Sequence, residues 1–73
     1  MNNYEDLAYR ISQKIKSLRK EQGLTVQELA YRCDIERSNL SRIEAGRSNL
    51  TLKTMCIICN ALKIKLKDLI DVS

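Results

Sequence analysis

Residues 23–46 read GLTVQELAYRCDIERSNLSRIEAG, and their punctuation decides the fold. Thr25 is followed three residues later by Glu28, the spacing of a capping box. In that box the threonine hydroxyl accepts from the third helical N–H and the glutamate reaches back to the threonine N–H. Leu24 and Leu29 stand where a hydrophobic staple would close around it. A short helix is therefore expected to about Cys33, burying Leu29, Ala30 and Cys33, with Asp34 breaking it. Ile35 anchors the turn that follows. The next helix is expected over about 37–45, with Leu40 and Ile43 facing inward and Gly46 closing it.

Only residues 34–36 separate these two helices. So short a connection forces a sharp angle between them, the geometry of a helix-turn-helix. On the amino-terminal side, Leu7, Ala8, Ile11, Ile15 and Leu18 form a helical stripe over 3–22. Asn3 caps it, Glu5 and Asp6 sit in its first turn where the helix dipole favours anions, and Gly23 ends it. On the carboxyl-terminal side, residues 47–49 make a polar loop and Thr51 caps a helix over 52–62. Leu52, Met55, Ile58, Cys59 and Leu62 read as its core stripe. A last short helix is expected over about 66–70. Apolar spacings of three and four predict an all-α fold of five helices, one domain over 1–73 with a thin core.

Composition narrows the function. The chain has 73 residues with 13 basic and 9 acidic side chains, a net charge of +4. It has no histidine, the commonest general base and zinc ligand. No nucleophile–base pair, metal set or phosphate loop is visible, so no enzyme, no catalytic residue, no metal and no cofactor is expected. No apolar run approaches the ~20 residues of a membrane span, and the first ten residues lack the apolar stretch of a signal peptide. Three cysteines, an odd number, favour a reducing cytoplasm over a disulfide framework. Cys56 and Cys59 have C-x-x-C spacing, but without a second pair they read, like Cys33, as core filling.

The charge is uneven. Residues 1–36 carry six basic and six acidic side chains, whereas residues 37–67 carry seven basic and one acidic. Around the 37–45 helix, at ~100° per residue, Ser38, Ser41, Arg42 and Ala45 lie opposite Leu40 and Ile43, with Arg37 at the exposed amino-terminal edge. Short side chains let a helix approach a groove floor closely, and arginine can pair twice with the O6 and N7 of guanine. The lysines at 63, 65 and 67 read instead as solvated surface.

Residues from Leu18-Arg19 through Gly23-Leu24-Thr25, Glu28-Leu29-Ala30 and Ser41-Arg42-Ile43-Glu44-x-Gly46 to Ala61-Leu62 together resemble the Cro and phage-repressor (XRE-type) helix-turn-helix family. The resemblance covers about residues 11–70, leaving a short amino-terminal extension of the first helix. It implies double-stranded DNA as partner, a recognition helix over about 37–45 in the major groove, and transcriptional regulation. By position it implies base reading by Arg37, Ser38, Ser41 and Arg42. It implies phosphate contacts from Thr25, Gln27, Arg47, Ser48 and Asn49, and an internal ion pair between Arg19 and Glu44. Among stand-alone chains of this length it is similar to restriction-modification controller proteins and Cro-like regulators, with antitoxins of the same fold beside them. No small-molecule ligand is expected.

The sequence departs from that family at Val26, where a backbone-contacting glutamine is common, and at Asp34 and Lys63, where glycine is usual. At Lys65 a serine or aspartate cap is usual. Ile57, read as lying near Lys53 and Asn60 and away from the core, together with Ile70 and Val72, suggests a homodimer through the last two helices. Two-fold symmetry would set two recognition helices about 34 Å apart. The alternative from another class is a small helical protein-interaction module that uses this apolar face. Tyr31 either packs on the second helix or touches phosphate.

Overall fold

The computed structural model describes residues 3–71. It contains α1 (Tyr4–Glu21), α2 (Val26–Cys33), α3 (Arg37–Glu44), α4 (Leu52–Leu62) and α5 (Leu66–Ile70), and no strand among the described residues. Val72, part of the expected apolar patch, lies outside them.

Side-chain caps start three of these helices. Asn3 accepts from the Asp6 N–H at 3.1 Å, Thr25 from Glu28 at 3.0 Å and Thr51 from Thr54 at 3.1 Å. At α2 the box is complete, because Glu28 Oε1 accepts from the Thr25 N–H at 2.9 Å. These hydrogen bonds, Thr25 N–H first, hold the Glu28 carboxyl below its ordinary pKa. The stabilisation is thus present at neutral pH and is lost as pH falls through that lowered value. No side chain caps α3 after Glu36 or α5 after Lys65.

Helix ends are set by left-handed residues: Gly23 (φ 70°), Asp34 (φ 57°), Gly46 (φ 75°) and Lys63 (φ 59°). All four turns make the paired backbone hydrogen bonds of a Schellman motif, as in Leu24 N–H to Arg19 O at 3.1 Å and Ile64 N–H to Cys59 O at 3.0 Å. At three of them an apolar residue follows, Leu24, Ile35 and Ile64, and packs on the core. The fourth is followed by Arg47, which is exposed.

The core is built from Ile15 of α1, Leu29 of α2, Leu40 of α3, Ile58 and Leu62 of α4 and Leu69 of α5, all fully buried. α2 packs on α3 and α4, and α1 lies across α3, α4 and α5. Three expectations for α4 are corrected. Leu52 is 61% exposed, since the first residue of the helix lies a turn beyond the core layer at Met55. Cys56 is exposed, whereas Cys33 and Cys59 are buried. Core filling therefore describes two of the three thiols, and burial raises the pKa of both. Ile57 lies on one flank with its i−3 and i+4 neighbours Thr54 and Ala61, all half-buried, and packs partly on the core. The exposed edge of α4 is instead Leu52, Lys53, Cys56 and Asn60.

Candidate nucleic-acid interface

The eight residues of α3 divide cleanly by burial. Leu40, Ile43 and Glu44 are buried, while Arg37, Ser38, Asn39, Ser41 and Arg42 are exposed. The buried three fix the helix against α1 and α2, so the exposed side is a ridge that the core cannot rotate away. Exposed Ala45 continues it with little bulk.

Glu44 holds the far end. Its carboxylate accepts from Arg19 Nε at 2.8 Å and from Nη2 at 3.1 Å, a two-pronged ion pair. Arg19 Nη1 donates to the Leu24 carbonyl at 2.7 Å. Both residues are under one-tenth exposed, and no buried side-chain nitrogen or oxygen among the described residues lacks a partner. One guanidinium thereby ties the last turn of α1, the turn at Gly23 and the last turn of α3. Gln13 Nε2 adds a hydrogen bond to the Glu44 carbonyl at 3.3 Å.

Two hollows flank the ridge. At its amino-terminal end Gln27, Tyr31 and Arg37 line a cleft of about 310 Å³ between α2 and α3. The resemblance implied separate roles for Gln27 and Arg37, and the fold brings both to one cleft. Tyr31 is 86% exposed there, so packing on α2 is not its role. At the other end Arg47, Ser48 and Asn49 line a second hollow of about 360 Å³ with Tyr4 and Glu5 of α1. Thr25 differs from the other candidates. Its N–H and an oxygen lone pair are used within the capping box, leaving only its hydroxyl proton to offer a phosphate.

Asn39 was not among the sequence candidates. It is exposed in the first turn of α3, on the side of the ridge away from Ser41. An asparagine can pair twice with adenine N6 and N7. The signal was its position in the first turn of an exposed helix end, which an angular count centred opposite Leu40 and Ile43 passes over.

A capped eight-residue helix, a three-residue turn and a second eight-residue helix with an arginine–serine ridge make up a helix-turn-helix unit. The helix-turn-helix profile HTH_3 matches residues 15–69. The chain belongs to this family. It is 35% identical over 60 residues to control protein C.BamHI of Bacillus amyloliquefaciens, covering 81% of this chain and 74% of that protein. It is 37% identical over 60 residues to the immunity repressor protein of Bacillus phage phi105, covering 82% of this chain and 42% of that one. The crystal structure of the restriction-modification controller protein C.AhdI from Aeromonas hydrophila superposes with a TM-score of 0.82 at 30% identity, over 90% of this chain and 98% of that one. The profile match begins at residue 15, within α1, whereas the superposition on C.AhdI extends over 90% of the chain. No helix among the described residues is long and apolar enough to cross a membrane.

Proposed function

We propose that this helix-turn-helix transcriptional regulator reads double-stranded DNA with the outward ridge of α3. Ser38, Ser41, Arg42 and Asn39 reach base edges in the major groove, and Arg37 works from the amino-terminal edge. Gln27 and the 47–49 loop grip phosphates on either side. The observation that carries this reading is the burial pattern of α3: Leu40, Ile43 and Glu44 inward, every short polar or arginine side chain outward.

The protein acts by binding and not by catalysis, in the cytoplasm, and as a homodimer. Support for the dimer comes from α4 and α5. Ile57 and Ala61 on one, and Leu66 on the other, are half-buried, and Ile70 is 47% exposed. These partly exposed apolar residues lie on α4 and α5, remote in sequence from the ridge.

Salt tests the binding mode. Duplex binding through several phosphate contacts weakens with a slope of several units of log affinity per log salt. Titration of a random-sequence duplex between about 50 and 200 mM salt is expected to show that fall. A chain that binds no duplex at low salt, or one whose binding ignores salt, would contradict the proposal and favour an apolar protein partner.

A further inference from the structure

We infer that the amino-terminal turns of α1, which precede the family match, clamp the α3–α4 loop and so position its phosphate contacts, with Tyr9 and Tyr4 as the positioning residues. This rests on the reading of residues 47–49 as a phosphate grip.

The loop needs such a clamp because its own anchor is missing. Three of the four Schellman turns place an apolar residue after the left-handed position, and that residue packs on the core. Here the place belongs to Arg47, which is exposed and free to face a polyanion but holds nothing down. The anchoring comes from α1 instead. A Cβ built on Gly46 would lie 3.1 Å from Tyr9 Cδ1 and 3.8 Å from Tyr9 Cα, so the tyrosine lies directly against the glycine backbone. One helical turn and a half earlier, the Tyr4 hydroxyl donates to Asn49 Oδ1 at 3.4 Å. Leu7 and Ile11, on the same stretch of α1, face Leu50 and Met55 across an apolar hollow of about 200 Å³. Tyr9 and Tyr4 of α1 thus meet the loop at Gly46 and at Asn49.

These residues stand before the helix-turn-helix profile match, which begins at residue 15. Glycine at 46 serves twice: it takes the left-handed conformation, and it leaves the surface that Tyr9 covers. Fixing the loop before DNA arrives removes from binding the entropic cost of ordering its side chains.

Two variants of the full chain test this, Tyr9→Ala and Tyr4→Phe, with amide hydrogen exchange and duplex titration as readouts. In Tyr9→Ala the hydrogen-bonded amides of Gly46 and Arg47 are expected to exchange several-fold faster, while those of Gly23 and Leu24, in the matching turn after α1, stay unchanged. Affinity falls, the salt slope flattens by up to about one unit, and base preference is kept. In an Arg47→Ala background the same substitution then has little further effect on affinity. Tyr4→Phe, which removes only the hydroxyl, gives a smaller loss of the same kind with an unchanged thermal midpoint. Unchanged exchange at Gly46 and Arg47, with duplex binding intact, overturns the clamp alone. So does an affinity loss that persists in full without Arg47. Faster exchange in a protein that binds no duplex at all overturns the functional reading, and the clamp's role in binding with it.

Discussion

Glu44 is an acid on the inner side of a helix whose outer side carries arginine, and that placement makes it sensitive to substitution. Its carboxylate is the only charge facing buried Arg19 among the contacts seen. Removing it strands a guanidinium under the core edge, at a cost of about 3–5 kcal/mol. In a domain of this size Glu44→Ala is therefore expected to lower the thermal midpoint by more than about 10 °C. The double variant Arg19→Met/Glu44→Leu should recover most of that loss, because well-packed apolar residues often replace a buried pair without penalty. A small effect from Glu44→Ala, measured by thermal unfolding, would mean that the pair is a surface contact. At this scale the sequence was legible where an angular count and a family pattern agreed, as at Arg19 and Glu44. It misled at Leu52, since periodicity tells which side of a helix is apolar but not how far along its length the core reaches, and at Cys56, read as core from residue type although it shares the exposed side of α4 with Lys53 and Asn60.

Helix ends were the most readable elements. Capping boxes and left-handed residues act over four or five neighbouring positions, so Thr25, Glu28, Gly23 and Gly46 announce themselves without any tertiary context. Asp34 and Lys63 were legible as departures, and both do adopt positive φ. A left-handed residue other than glycine costs roughly 1–2 kcal/mol, less for aspartate, which tolerates that region. After the entropy that glycine returns to the unfolded chain, Lys63→Gly is expected to stabilise by about 0.5–1 kcal/mol, raising the midpoint by about 3–6 °C. Asp34→Gly should give less. The reverse order, or a destabilised Lys63→Gly, would show that the two turns are not held as their backbone hydrogen bonds indicate. The flank of α4 was less readable. Ile57 was placed beside Lys53 and Asn60, yet it shares a half-buried side with Thr54 and Ala61, because α4 is covered by two neighbours, α1 and α2, as well as by α5.

For the whole molecule, the long-range pairings were the hidden part. Nothing local in Tyr4 or Tyr9 signals that they meet a loop some 40 residues away, as Tyr4 meets Asn49. Assembly is testable at the same scale. Ile57 packs partly on its own core, so Ile70, exposed and on the proposed apolar flank, is the cleaner probe. Ile70→Lys is expected to shift the protein from dimer to monomer in sedimentation analysis while leaving its helix content unchanged. An unchanged dimer would place the interface elsewhere. The ridge of α3 is tested most directly by selecting bound sites from random duplex DNA with the unaltered protein and with Arg42→Ala. The expected result is an enriched site in which one guanine-bearing base pair loses its preference in the variant, at a cost of about 1–3 kcal/mol on the original site. Enrichment of the same sequence at every position by both proteins, or of no sequence by either, would contradict base reading by that ridge.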